Sequence, residues 1–137
     1  MELKKIVPGL ALLPRKRRPV TRTDIVKYQG ASGDFDAAHH DDAHARSFGY
    51  PGVFSLGMLH AGELSVYATD HFGAEALQGF KVRFKGVVNL DDELTYTGTI
   101  SNVRGTIAGR VVEIELTAKN GRNEPVLLAS ATFLLRH

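Results

Sequence analysis

The second half of the chain alternates apolar and polar residues at a period of two, and this pattern limits the possible folds more than any other feature. It predicts four strands, at Phe80–Lys85, Glu93–Val103, Arg110–Lys119 and Val126–Leu135. The last of these is apolar on both faces, so we expect it inside the sheet. Short turns between the segments favour an antiparallel meander, with Leu10–Leu13 available as a further, first strand.

The first half lacks this period and is typical of helices. The segment Ser55–His71 predicts the main helix, and Gly73 lies where a helix C-cap is expected. Shorter helices are predicted from a cap at Thr23–Asp24 and from Ala37 to Arg46. We therefore predict an α+β fold in which a curved antiparallel sheet wraps around one long central helix.

The length of 137 residues is that of one domain, so we predict a single domain over residues 1–137, with an N-terminal strand and basic arm in residues 1–22. Lys and Arg total 17 against 15 Asp and Glu, and the run Arg15–Arg18 supplies the excess. Because the rest of the chain is not basic, the run predicts a solvated arm rather than a nucleic-acid surface. The chain has no cysteine and no apolar stretch near the ~18 residues of a membrane helix, so we expect a cytoplasmic protein.

The segment Ser32–His44 concentrates histidines and acids, and His40 and His44 are one helical turn apart. The spacing is not specific for a metal, and no His-Glu-x-x-His occurs, so we predict no metal site. Covalent acyl transfer lacks a cysteine and a Gly-x-Ser-x-Gly turn. Glycine patterns for phosphate or dinucleotide binding are also missing from the sequence.

Asp34 and His39 are five residues apart, on either side of the predicted start of a short helix. This spacing lets both side chains reach one small space, where they can hold and polarise a water molecule. The alternative is structural: Asp34 or Asp36 caps the helix, and His39 is a packed histidine. Spacing alone leaves both interpretations open.

The segments Gly33–His39 and Pro51–Leu59 resemble the hydratase motif of the MaoC-like, (R)-specific enoyl-CoA hydratases, a family with the hot-dog fold. The family pattern is Gly-Asp-x-Asn-Pro-(Leu/Ile)-His, followed by His-Gly-Met-Leu at the start of the central helix. This chain departs from it at Asp36–Ala38, where the family prefers Asn-Pro-Leu, and at Leu56, where it has histidine. The sequence His39–Asp41 is similar to the small subunit of heteromeric hydratases in steroid side-chain breakdown.

The resemblance implies reversible hydration of a trans-2-enoyl-CoA thioester, with no cofactor besides this substrate. It assigns catalysis to Asp34 and His39, binding of the thioester oxygen to the Gly57 amide, and a supporting role to Ser65. Three cations on one strand face are candidates for the coenzyme A phosphates, or form a solvated face: Lys81, Arg83 and Lys85.

Two other functions stay open. A hot-dog thioesterase would direct water at the thioester carbonyl, and a non-catalytic subunit would bind acyl chains within a heteromeric hydratase. One helix on one sheet is a sparse core, so we expect a homodimer or larger assembly, with a paralogous MaoC-like subunit as a further partner. We expect neither nucleic acid nor a membrane as partner.

Overall fold

A computed structural model describes residues 5–136 of the chain. The main elements are β1 (Arg15–Arg17), α1 (Arg22–Ser32), α2 (Asp42–Ser47), α3 (Gly57–Phe72), β2 (Leu77–Phe84), β3 (Leu94–Thr106), β4 (Gly109–Lys119) and β5 (Pro125–Arg136). Single turns of 3-10 helix occupy Ala37–His39 and Ala74–Ala76. The predicted α+β class, with one antiparallel sheet and one long helix, is confirmed.

The five strands form one sheet in the order β1-β3-β4-β5-β2, and every neighbouring pair is antiparallel. β3, β4 and β5 form the predicted meander, and β5 lies inside the sheet, as its two apolar faces indicate. The prediction that β2 also belongs to the meander, next to β3, is wrong, because β2 pairs with β5 at the far edge of the sheet. Residues 85–93 carry the chain from that edge back to β3.

The N-terminal segment runs along the outer edge of β3. Leu10 accepts a hydrogen bond from Ile100 N–H (2.9 Å), but in the predicted strand Leu10–Leu13 only Ala11 forms a bridge, with Thr99. The ladder forms later, at β1, after Pro14, which has no N–H to donate.

The run Arg15–Arg18 is not the solvated arm that its charge predicts. Arg15 pairs with Asp70 (2.8 Å), and Arg18 with Asp24 (2.6 Å). The side chain of Arg17 is only 11% exposed and pairs with Glu63 (2.9 Å). The run therefore ties β1 to α1 and α3.

The two predicted short helices differ in detail from the observed ones. α1 begins at a capping box in which Thr21 Oγ1 accepts from Asp24 N–H and the Asp24 carboxylate accepts from Thr21 N–H. The predicted helix 37–46 is broken, because the Asp41 side chain accepts from His44 N–H and starts α2 as a separate helix.

The core lies between α3 and one face of the sheet. Leu64, Tyr67 and Ala68 of α3 are fully buried against it, and Gly73 ends the helix at φ 89°, as predicted. The sheet supplies these fully or almost fully buried side chains: Leu94, Tyr96, Ile100, Val112, Ile114, Leu116 and Phe133. Each large apolar side chain contributes about 1.5–3 kcal/mol by leaving water. This packing fixes the N-terminus of α3 relative to β2.

Candidate active site

His39 is anchored through one ring nitrogen. Its Nδ1 lies 2.7 Å from the carbonyl oxygen of Phe54. Because a carbonyl only accepts, Nδ1 carries the hydrogen and donates it. In the neutral ring, Nε2 then has a free lone pair and can take a proton from water.

The turn that presents His39 is capped and packed. The Asp36 carboxylate accepts from Ala38 N–H (2.8 Å) and so caps the single turn that His39 ends. The Phe54 ring meets the imidazole edge-on, with centroids 5.0 Å apart. The structure thus contains part of each alternative that the sequence left open. Asp36 caps the turn and His39 is half-buried, but His39 Nε2 forms no hydrogen bond within residues 5–136.

Asp34 lies just after the C-cap of α1, Gly33. Its side chain is exposed, and Oδ1 accepts from Asp36 N–H at 3.3 Å. The carboxylate precedes the turn that holds His39, and within residues 5–136 its second oxygen accepts no hydrogen bond.

The side chain of Gln29 holds the loop that contains Asp34 and Asp36. The sequence analysis did not predict this role. It is 3% exposed, and its amide donates to the backbone oxygens of Asp34 (3.1 Å) and Asp36 (3.3 Å). The signal was present in the sequence, since Gln29 lies one helical turn after the buried Ile25, on the inner face of α1. A buried amide in that position indicates backbone groups to bind.

Gly57 is the first residue of α3, after the N-cap Leu56, whose side chain makes no capping bond. The first N–H groups of a helix have no intrahelical acceptor, and the helix dipole places partial positive charge there. The Gly57 amide is therefore suited to bind an oxygen that gains negative charge. Phe54, which accepts from His39, lies three residues earlier on the same segment.

A side chain at this position would crowd the Phe84 ring. A Cβ built on Gly57 would lie 2.7 Å from Cε1 of Phe84, at the end of β2. Phe84 is 50% exposed, so its ring covers the helix start from the solvent side. A side chain at Gly57 would therefore meet Phe84 as well as any bound thioester.

Within residues 5–136, the other predicted site residues form no hydrogen bond with Asp34, His39 or Gly57. Ser65 lies two turns along α3, half-buried, and its hydroxyl donates to the Gly62 carbonyl (2.7 Å). Lys81 and Arg83 line a groove of about 380 Å³ with Glu115 and Ser130, on the sheet face away from α3. Lys85 is exposed just past the end of β2. The roles of these four residues stay predictions.

Among residues 5–136, no group of three or more histidines and acids is placed to hold a metal ion. Two histidines weighed as ligands have other contacts. His40 Nδ1 lies 3.2 Å from the Gln29 amide, and the His44 ring packs on Phe48.

A buried polar chain that the sequence analysis missed lies beneath the start of α3; it consists of Ser55, His60 and Glu63. Ser55 Oγ is 2.7 Å from His60 Nε2, and His60 Nδ1 is 3.0 Å from the Glu63 carboxylate. Glu63 also accepts from Arg17 and from the Tyr96 hydroxyl. The periodicity of α3 gave a partial signal, because His60 falls on the same helical face as Leu64.

The charge of Glu63 is held by these partners. Burial raises its pKa, but the hydrogen bonds that its carboxylate accepts outweigh burial and lower the pKa to about 2. The same contact and burial raise the pKa of Tyr96, with burial the larger cause. The carboxylate is therefore ionised and the phenol protonated at neutral pH.

The family model for the MaoC like domain matches residues 5–121, which contain every predicted site residue. The chain belongs to the MaoC-like domain family. No curated protein matches it. No helix within residues 5–136 is long and apolar enough to cross a membrane.

Solved structures of MaoC-like proteins share the fold along almost the whole chain. One chain in the structure of the ChsH1-ChsH2 complex from Mycobacterium tuberculosis is 22% identical; the match covers 95% of this chain and 98% of that chain, with a TM-score of 0.82. The (R)-hydratase from A. caviae involved in PHA biosynthesis is 18% identical, with coverages of 96% and 98% and a TM-score of 0.84. The MaoC-like dehydratase from Rhodospirillum rubrum is 19% identical, with coverages of 100% and 98% and a TM-score of 0.81. The predicted hot-dog fold is confirmed.

Proposed function

We propose that this MaoC-like chain adds water to the double bond of a trans-2-enoyl-CoA thioester and catalyses the reverse dehydration. The observation that carries the proposal is the 2.7 Å hydrogen bond from His39 Nδ1 to the Phe54 carbonyl. It frees Nε2 as a base and ties that base to the segment that ends in the Gly57 amide. A base for water and a donor for the thioester oxygen are the two groups that this addition needs most.

In the proposed reaction, one water molecule lies between Asp34 and His39. His39 Nε2 takes a proton from it while the Asp34 carboxylate orients the remaining O–H. The water oxygen bonds to the β-carbon, and the electrons of the double bond move through the α-carbon to the thioester oxygen. The Gly57 amide stabilises the negative charge there, aided by the helix dipole. The protonated imidazole then returns its proton to the α-carbon, so one water is consumed and both groups are regenerated.

We propose that the active form is a homodimer or larger assembly joined along β2. Among the described strands β2 pairs with β5 alone, so its other edge is open within residues 5–136, and an open edge invites another strand. The apolar side chains of Met58 and Val66 on α3, and of Phe84 at the end of β2, are also exposed. The second chain is a copy or a related MaoC-like subunit, and the heteromeric ChsH1-ChsH2 complex, which shares this fold, supports the latter possibility.

We also propose that three exposed cations at the end of this edge bind the coenzyme A phosphates: Lys81, Arg83 and Lys85. Among the described residues, no ion pair is formed by any of them. Because they belong to the edge strand, pairing along β2 would bring them toward the second chain.

The proposal is tested by mixing the purified chain with short, medium and steroidal trans-2-enoyl-CoAs. Hydration removes the conjugated thioester absorbance without releasing thiol, whereas a thioesterase releases free coenzyme A. Loss of absorbance that depends on Asp34 and His39 supports a hydratase. Thiol release, or binding of thioesters with no turnover alone or with a paralogous subunit, would contradict it and favour the thioesterase or the non-catalytic subunit.

A further inference from the structure

The protons along the buried polar chain are fixed by its acceptors. The Glu63 carboxylate is ionised and can only accept, so His60 Nδ1 carries a hydrogen and donates it. In the neutral ring, Nε2 is then an acceptor, and the Ser55 hydroxyl donates to it over 2.7 Å. Every polar side-chain atom of Ser55, His60 and Glu63 thus has a hydrogen-bond partner, although His60 is completely buried.

The order serine, histidine, carboxylate is that of a nucleophilic triad, but burial excludes this role. Ser55 is 3% exposed and His60 is 0% exposed. A thioester carbonyl cannot reach a hydroxyl in that position without unfolding the start of α3. The buried polar chain must act on its surroundings rather than on substrate.

One peptide unit connects the buried polar chain to His39. The peptide between Phe54 and Ser55 carries the carbonyl that accepts from His39 Nδ1 and the N–H that donates to Val88 at 2.7 Å. A peptide unit is planar, so a rotation that moves one of these groups moves the other. The next side chain along, that of Ser55, is the one held by His60.

We propose that His60 is a positioning residue that acts through Ser55: it clamps the Phe54–Ser55 peptide so that its carbonyl keeps His39 in the tautomer with a free Nε2. Glu63, held by Arg17, in turn orients His60. The consequence for turnover rests on the proposed hydratase function, but the effect on the His39 ring does not.

The first test reads the His39 tautomer directly, by ¹⁵N NMR of histidine-labelled protein, on the alkaline side of a pH series where the spectrum no longer changes and the ring is neutral. The His39→Gln spectrum assigns the signal. In the wild type we expect the Nδ1–H tautomer. Ser55→Ala removes only the hydroxyl and should give a mixture of both tautomers, while Ser55→Thr keeps a hydroxyl and should restore the wild-type spectrum. His60→Gln is a second variant that should act like Ser55→Ala.

The second test is kinetic. In Ser55→Ala we expect kcat to fall by about tenfold with KM little changed, because a misdirected base affects the reacting geometry rather than binding. Thr69→Val is the matched control, since it also removes a hydroxyl that donates a hydrogen bond, here to the Val66 carbonyl, but at a position about three turns along α3 from Gly57. It should leave the tautomer and kcat unchanged.

The outcomes separate this inference from the proposed function. A His39 spectrum that is the same in Ser55→Ala as in the wild type, with only a lower Tm, would overturn the positioning role and leave a structural one. A wild type without the Nδ1–H tautomer would overturn it too. A tautomer change in a protein that hydrates no enoyl-CoA would support the positioning role while contradicting the hydratase.

Discussion

Phe84, at the end of β2, lies against the Cα of Gly57, so that a Cβ at Gly57 would come within 2.7 Å of the ring. The proposed oxygen-binding amide is therefore bounded by an aromatic side chain of the free edge strand. Since Phe84 is half-exposed, it belongs both to the site and to the surface where a second chain is expected.

This contact predicts the effect of adding side chains at Gly57. Gly57→Val should reduce turnover more than folding, because the half-exposed Phe84 ring can swing away at a cost of about 1–3 kcal/mol, whereas the space beside the amide stays filled. Thermal melts and steady-state kinetics on one preparation measure both effects. In the double variant Gly57→Ala with Phe84→Leu, the stability lost in Gly57→Ala should be largely recovered. Full activity in Gly57→Val would remove Gly57 from the site.

Asp34→Asn and His39→Gln are each expected to reduce the hydration rate by about 10²–10⁴-fold, the usual contribution of general acid–base catalysis. Both replacements keep the size of the side chain, and neither residue belongs to the buried core, so the circular dichroism spectrum and Tm should stay close to those of the wild type. Asp36→Asn is a useful control, because asparagine can still cap the turn before His39. Near-normal turnover in either catalytic variant would contradict the two-residue mechanism.

The local patterns were sufficient for much of the fold. Alternation located β2 to β5 within a few residues, and Gly73 marked the end of α3. Asp34 and His39 could be proposed because they are close in sequence. The structure adds what spacing cannot contain, namely the bond that fixes the His39 tautomer through Phe54, fifteen residues away.

Contacts between distant residues explain the errors. Arg17 and Glu63 are 46 residues apart, so the partner that buries Arg17 cannot be found by reading the basic run alone. In the same way, the period of two in β2 predicts a strand but not its neighbour, and β2 pairs with β5 rather than with β3. Burial of His60 depends on the whole packing of α3 against the sheet.

Glu63 should make the fold sensitive to acid. Its pKa is about 2 in the folded chain, against 4.5 for an ordinary glutamate. The unfolded state therefore binds the proton first as pH falls, so the stabilisation is fully present above about pH 4.5 and is lost toward pH 2. Glu63→Gln should lower the free energy of unfolding by about 3 kcal/mol at neutral pH. The free energy of unfolding should then fall less steeply than in the wild type as the pH is lowered.

Urea denaturation from pH 7 down to about pH 2 measures this change. Glu124→Gln is the matched control, because Glu124 pairs with Arg122 on the surface, where its side chain is 59% exposed. In this variant the free energy of unfolding should fall with decreasing pH as steeply as in the wild type, since exposed ion pairs contribute little to stability. An equal loss of stability on acidification in the wild type and in Glu63→Gln would show that the contacts of the Glu63 carboxylate with His60, Arg17 and Tyr96 do not stabilise the fold.

The open edge of β2 predicts that the isolated chain is not a monomer. Met58 and Val66 are 57% and 52% exposed, and they lie two helical turns apart on one face of α3. Exposed apolar side chains and an unpaired strand edge both mark surface that another chain covers. In a monomer, a charge at Val66 would stay in water and change nothing.

Val66→Lys should therefore shift the assembly toward monomer, because pairing would bury the new ammonium group without a partner. Ile107→Lys is the control: Ile107 is fully exposed at the tip of the β3–β4 turn, away from β2, and its replacement should leave the assembly intact.

Light scattering at micromolar concentration measures the mass of each variant. A wild type that shows only the 14.9 kDa species and full hydratase activity would contradict the expected assembly. If Val66→Lys alone becomes monomeric and also loses activity, the second chain completes the site, since Val66 itself lies outside the Asp34, His39 and Gly57 group.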